Sequence, residues 1–295
     1  MRIEIIGAGA VGLLMASFLI EQQADVTLVL RRQLPKEQKI TRTNSDGTVT
    51  DDLRVSVATE LSGQADLIIV AVKYGDLKDV YAQLTTSDVT IPVLFVQNGL
   101  AHYEEALQLP QHHLAFSSVQ FGAQKVEQFH VAHKGIGVMK LAVGRGDETL
   151  LKPFLNYAHH QLPMAFEADA EAMLLEKALL NCLINPLTAI LQVKNGQLIK
   201  ENNAFQLLKN LYNEITTVFP QYGETFQFEQ VAALCKKTAK NTSSMLADRL
   251  ARRETEVETI VAPILRKAAQ QQQSMPVLQT VYLLVKALEE SGEKM

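Results

Sequence analysis

Apolar positions along this chain fall into two textures. Up to about residue 165 they form short unbroken runs: Ile3 to Ile6, Val26 to Leu30, Leu67 to Val72 and Val93 to Val96. Stretches with helical spacing, such as Asp76 to Leu84, separate them. Runs of four to six apolar residues without polar alternation predict parallel strands covered on both faces. Thr41 to Asp51 is polar and rich in turn formers (Asn44-Ser45-Asp46-Gly47), which predicts a surface excursion carrying a hairpin. Residues 114 to 143 read as strand-rich, with alternation around Gln128 to Ala132. From about Ala168 the strand signals stop. Apolar residues then recur at helical spacing through Met173 to Leu191, Phe205 to Phe219, Val231 to Ala239 and Val277 to Leu288. The pattern predicts an α/β domain over residues 1–167 and an all-helical domain over 168–295, the boundary following one last short strand-like run.

Composition narrows this without changing it. The 295 residues carry 28 Lys+Arg against 32 Asp+Glu, a formal charge of −4, with 47% hydrophobic residues. That balance is ordinary for a globular protein and offers no basic face for nucleic acid. Cys182 and Cys235 lie in apolar helical contexts, too few for a disulfide framework, and read as reduced core thiols of a cytoplasmic protein. No unbroken apolar run approaches the roughly 20 residues of a membrane span, and the start Met1-Arg2-Ile3-Glu4 does not read as a signal peptide. The expectation is therefore no membrane association. A homodimer is left open, because nothing in the sequence specifies an assembly.

Gly7-Ala8-Gly9-Ala10-Val11-Gly12 fits G-x-G-x-x-G, a weak pattern alone. Here it follows the strand Arg2 to Ile6 and opens the helical stretch Ala10 to Glu21, the context in which glycines admit a dinucleotide's diphosphate to a helix N-terminus. A Rossmann-type sheet is expected, the alternative being a glycine-rich turn with no ligand. About 20 positions on, an NAD site offers an acidic residue to the ribose. This chain offers Arg31-Arg32 after Val26 to Leu30. A guanidinium suits a 2′-phosphate and a carboxylate repels one, so NADPH is favoured over NADH. Lys73, just beyond Leu67 to Val72, also falls at a carboxyl strand end. The bland alternative for the arginines is solvated surface charge.

Lys177, Asn181 and Asn185 stand at i, i+4 and i+8 among Leu174, Leu175, Ala178, Leu179, Cys182, Leu183 and Ile184. A helix apolar almost all round is buried, so a narrow polar stripe on it faces something polar. The competing reading is a thin exposed strip. A lysine in such a stripe can protonate a carbonyl oxygen during hydride transfer. Pro186 should kink the helix near Asn185.

Taken together, the segments Gly7 to Gly12, Val72-Lys73, Gln97-Asn98-Gly99, Lys177-x3-Asn181-x3-Asn185-Pro186, Asn241-x-Ser243-Ser244-Met245-x-x-Asp248 and Thr255-Glu256 resemble the ketopantoate reductases (2-dehydropantoate 2-reductases) over nearly the whole chain. The resemblance implies an NADP-dependent oxidoreductase that reduces 2-dehydropantoate to pantoate for pantothenate and coenzyme A synthesis. It implies Lys177 as general acid and Glu256 as a hydrogen-bond acceptor for the substrate. Asn98, Asn181, Asn185 and Ser244 become substrate contacts, Asn98 also serving the cofactor, and the glycine loop (Gly7, Ala8, Gly9, Ala10, Val11, Gly12) with Arg31 and Lys73 holds NADPH/NADP+. Read without it, Ser244 and Glu256 would pass for a helix N-cap and a surface glutamate. The chain departs from the family pattern after Glu256, with Val257-Glu258 and Val261-Ala262-Pro263. Those departures bear on substrate identity more than on reaction type. Two other readings stay open: a paralogous NADPH-dependent reductase of another 2-oxo acid, and a non-catalytic NADP-binding regulator. Retention of both Lys177 and Glu256 speaks against the regulator. The histidines His112-His113, His130, His133 and His159-His160 lack metal-ligand spacing and read as surface residues, so no metal is expected.

Overall fold

The computed structural model describes residues 1–225 and 227–292. Strands and helices alternate in the first part of the chain: β1 (Arg2–Ile6), α1 (Ala10–Glu21), β2 (Asp25–Val29), β3 (Glu37–Thr43), β4 (Val49–Ala58), β5 (Leu67–Val70), α2 (Leu77–Thr86), β6 (Val93–Phe95), α3 (Ala101–Ala106), β7 (Leu114–Val119), β8 (Gly122–Glu127), β9 (His130–Gly135), β10 (Met139–Arg145), α4 (Lys152–Leu155) and β11 (Met164–Phe166). Helices follow: α5 (Ala170–Leu191), α6 (Asn202–Val218), α7 (Pro220–Thr225), α8 (Phe228–Lys237), α9 (Ser244–Leu250), α10 (Val257–Gln270) and α11 (Pro276–Gly292). The chain divides into two compact units, Met1–Gln97 with His102–Leu174, and Asn98–Ala101 with Leu175–Met295. The four-residue segment after β6 thus belongs to the helical unit.

Among the described residues the eleven strands form one sheet in the order β11-β10-β7-β6-β5-β1-β2-β4-β3-β9-β8. β1 lies between β2 and β5, parallel to both, and β5, β6 and β7 continue in parallel. The fold class read from the apolar runs is the one observed. Leu67, Ile68, Ile69 and Val70 of β5 and Val93, Leu94 and Phe95 of β6 are all buried, as two covered faces require. Helix α1 is buried from Gly12 to Leu19. It packs against β8 and β9 as well as β1 to β4.

Three expectations need correction. The hairpin expected at Thr41 to Asp51 is present as antiparallel β3 and β4, but it is no excursion, because both strands belong to the sheet and β4 runs parallel to β2. Its signal was masked because a charged residue fills the core: Arg42 is 1% exposed and stacks over Phe18 at 4.1 Å. Arg42 donates to Asn44 (2.6 Å), Ser17 (3.3 Å) and Glu21 (2.8 Å), which compensates the burial of its charge. Next, the histidines are not all at the surface. His133 and His102 are buried, and His133 meets the Phe18 ring edge-on at 5.3 Å. Finally, α5 has 22 residues, and its most apolar 18-residue window has a mean hydropathy of 1.4, long and apolar enough on length and composition to cross a membrane. The three polar stripe residues break the run without lowering its mean much. In the structure 61% of that window is buried inside the protein. Among the described residues no other helix meets that test.

Candidate active site

Within the first unit, the parallel arrangement of β2, β1 and β5 brings three strand ends to one edge. The glycine loop leaves β1 there. Gly7 has φ +108°, and a Cβ on it would lie 2.8 Å from Val72 Cγ1. A Cβ on Gly12 would lie 2.2 Å from the Gly7 carbonyl oxygen, so helix α1 can start against the strand only if that residue has no side chain. Gly9 differs: its Cβ would meet only the Ala71 carbonyl, at 3.7 Å. The outer two glycines thus serve packing, while the middle one leaves bare backbone facing open space. Ala10 and Val11 begin α1, whose first turn holds no acidic residue to compete with an anion. At the end of β2, Arg31 is largely exposed and forms an ion pair with Asp76, in the turn after β5. Lys73 is the residue before that turn. The loop, Arg31 and Lys73 are therefore brought to the same sheet edge.

The helical unit assembles the other residues. Lys177 on α5 donates from Nζ to Asn98 Oδ1 at 2.8 Å, and Asn98 Nδ2 donates to Glu256 Oε2 at 3.3 Å. Burial pushes the Lys177 ammonium down to about 8 from 10.5, and the Glu256 carboxylate partly offsets that. Glu256 occupies the position before α10. Further along the stripe, Asn185 makes a long contact from Nδ2 to Ser244 Oγ, 3.5 Å. Asn181 makes no side-chain hydrogen bond among the described residues, which leaves its amide available. Helix α5 runs on through Pro186 without a break.

Some supporting residues have roles that the sequence did not reveal. Gly99 has φ +82°, and a Cβ there would lie 2.1 Å from the Thr259 carbonyl oxygen. Leu100 N donates to that same oxygen at 2.9 Å. The chain is thus pinned onto α10 next to Glu256, and Asn98 is held within reach of both charged residues. Ser243 is the N-cap of α9, accepting from Leu246 N at 3.1 Å and lying 2.7 Å from the Thr188 hydroxyl. Capping therefore falls to Ser243, and the exposed Ser244 hydroxyl is spared for Asn185 or a ligand. The spacing of Gln97-Asn98-Gly99 and of the serine pair was visible, but the partners were not.

The residues that depart from the family pattern are also placed. Val257 and Val261 are fully buried, and Glu258 accepts from Tyr282 (2.8 Å) and pairs with Lys286 (3.2 Å) on α11. Glu258 thus fastens α10 to α11. Glu256 keeps its contact with Asn98 despite these departures. Among the described residues no three His, Cys, Asp or Glu side chains could hold a metal ion.

Comparison with known proteins settles the family. The ketopantoate reductase PanE/ApbA pattern matches residues 3–146, and its C-terminal counterpart matches residues 169–289. The chain belongs to the ketopantoate reductase family. It is 32% identical over 302 residues to the 2-dehydropantoate 2-reductase of Bacillus subtilis, covering 100% of this chain and 99% of that one. The crystal structure of the probable 2-dehydropantoate 2-reductase from the same organism superposes with a TM-score of 0.88 at 32% identity, covering 98% of this chain and 100% of the other. A D-mandelate dehydrogenase solved with NADH and anilino(oxo)acetate shares the fold, with a TM-score of 0.85 at 23% identity over 99% of this chain and 100% of that one. That last likeness speaks for the fold alone. Family membership therefore brings the expected cofactor class with it.

Proposed function

We infer that the protein catalyses the NADPH-dependent reduction of 2-dehydropantoate to pantoate, a step in pantothenate and coenzyme A synthesis. The observation that carries this reading is the hydrogen-bonded line Lys177–Asn98–Glu256. It sets one donor and one acceptor on either side of an amide, matching a substrate with a ketone at one position and a hydroxyl at another. Residues 1–167 form the NADP-binding domain and residues 168–295 the substrate and catalytic domain in this reading.

The first unit fits the dinucleotide. The open backbone at Gly9 takes the diphosphate on the N-terminus of α1. Arg31 and Lys73 hold the 2′-phosphate, for which Arg31 exchanges its contact with Asp76. When bound, NADPH supplies the hydride that reaches the ketone carbon. Lys177 protonates the oxygen that gains charge as the carbonyl is reduced. Its value of about 8 keeps it charged near neutral pH yet more acidic than an ordinary lysine. Asn98 orients the ammonium through its Oδ1 and, by donating to Glu256, keeps that carboxylate turned toward the same place. Glu256 accepts from the substrate's terminal hydroxyl, and Asn181, Asn185 and Ser244 donate to its polar groups.

The buried free thiols Cys182 and Cys235 support placing the enzyme in the cytoplasm. As its assembly we propose a homodimer, which could cover the exposed pair Leu283 and Leu284 on α11. A solution mass equal to one chain, measured by light scattering, rejects the dimer. The test of the function is NADPH oxidation followed against a panel of 2-oxo acids. A specificity constant highest for 2-dehydropantoate is expected. A higher value for another 2-oxo acid moves the assignment to the paralogous reductase. Silence across the panel rejects catalysis.

A further inference from the structure

The glycine loop has a cationic neighbour that its motif does not include. Helix α1 packs against β8 and β9, and from β8 the Lys125 ammonium reaches the loop, donating to the Ala8 carbonyl oxygen at 2.7 Å. Among the described residues Lys125 has no carboxylate partner. Its surroundings push the ammonium below its ordinary value, first through partial burial and then through the nearby Arg32 guanidinium. Arg32 likewise has no ion pair among the described residues. Lys125 therefore brings a positive charge to the loop, where it meets a neutral carbonyl, and the Arg32 guanidinium is near enough to repel it. Like charges so placed repel, and the repulsion is relieved by an anion.

The anion that fits is the diphosphate of a dinucleotide. The loop itself offers that group only backbone N–H donors and the dipole of α1. Lys125 sits on the carbonyl between Gly7 and Gly9, the stretch whose backbone is left bare. Arg31, by contrast, stands at the end of β2, one strand over, and is paired with Asp76. We propose that Lys125 is a diphosphate-binding residue, supplying from the β8–β9 hairpin the positive charge that the glycine loop lacks. The ammonium keeps its hydrogen bond to the Ala8 carbonyl through one N–H and donates a second N–H to a diphosphate oxygen, so the hairpin also restrains the loop. Exposure of the side chain suits this, since a lysine can turn to a ligand only if it is accessible.

This assignment rests on the NADPH reading above, and the two can be separated by calorimetric titration of NADPH and of NADH. Four proteins are compared: wild type, Lys125→Met, Lys125→Arg and Arg31→Ala. Both cofactors carry the diphosphate and only one the 2′-phosphate. Lys125→Met should weaken both by a similar factor, about 10-fold at low salt, with the loss shrinking as salt is raised. Lys125→Arg should restore most of the affinity. Arg31→Ala should weaken NADPH alone. Unchanged affinity in Lys125→Met, with thermal stability matching wild type, overturns the proposal, and so does a loss confined to NADPH. Should the methionine variant not fold, Lys125→Gln is titrated in its place under the same criteria. Failure of wild type to bind NADPH would instead overturn the cofactor reading itself.

Discussion

At the scale of single residues, the protein's chemistry depends on how far burial moves one ammonium. A lysine at about 8 is roughly nine-tenths charged at pH 7 and one-tenth charged at pH 9, so the supply of general acid falls through that window. Reduction should therefore slow above pH 8, approaching a tenfold loss per pH unit. The reverse oxidation needs the neutral amine and should rise over the same range. Profiles of both directions that run parallel would remove Lys177 from proton transfer. Lys177→Ala should lower turnover by roughly 10² to 10⁴ with NADPH binding nearly intact. Glu256 calls for a different test, because its loss could act through Asn98 alone. Glu256→Ala should depress efficiency strongly with 2-dehydropantoate and much less with an analogue lacking the 4-hydroxyl. The difference is a coupling energy of about 1.5 to 3 kcal/mol. Equal losses with both substrates would mean that Glu256 only holds Asn98 in place.

Elements set the position of these groups. Helix α5 presents the stripe that carries Lys177, Asn181 and Asn185. Helix α10 presents Glu256, and its backbone carbonyl at Thr259 receives the chain after β6. That junction turns on Gly99, where φ is +82° and no Cβ has room. Gly99→Ala must either strain the backbone, at about 1 to 3 kcal/mol, or lift the segment off α10 and carry Asn98 away from Lys177. Turnover should fall although no polar group is removed, and the melting temperature should fall with it. Native turnover in this variant would deny the junction its positioning role. Cys182, which donates from Sγ to the Ile260 carbonyl at 3.5 Å, marks where α5 and α10 touch directly.

For the molecule as a whole, ligand linkage offers a measure that needs no turnover. Cofactor bound only by the folded state stabilises it by about 2.7 kcal/mol at a concentration 100 times Kd. NADPH should therefore raise the unfolding temperature more than NADH does at equal concentration. Arg31→Ala should remove that preference, leaving the smaller shift that both cofactors share. A variant that still prefers NADPH would take Arg31 out of phosphate recognition and leave the task to Lys73. The formal charge of −4 gives no general attraction for an anionic cofactor, so selectivity has to come from such local cations.

Sequence alone determined the elements whose periodicity agrees with their burial. The runs at β1, β5 and β6, the glycine loop and the stripe on α5 were legible because local pattern and final environment coincide there. Helix α10 was not, since Pro263 and the unfamiliar residues after Glu256 interrupt its pattern while its buried face, Val257, Ile260, Val261 and Ile264, is defined only by neighbouring helices. Arg42 reads as a surface charge until Phe18, Ser17, Glu21 and Asn44 surround it. Tertiary structure alone decided that Asn98 joins Lys177 to Glu256, residues 79 and 158 positions away. It also decided that Ser243 rather than Ser244 caps its helix, and that Lys125 meets the glycine loop. The physical reason is the same in each case: a hydrogen bond reaches about 3 Å in space, and no local pattern records which distant residue the fold will bring that close.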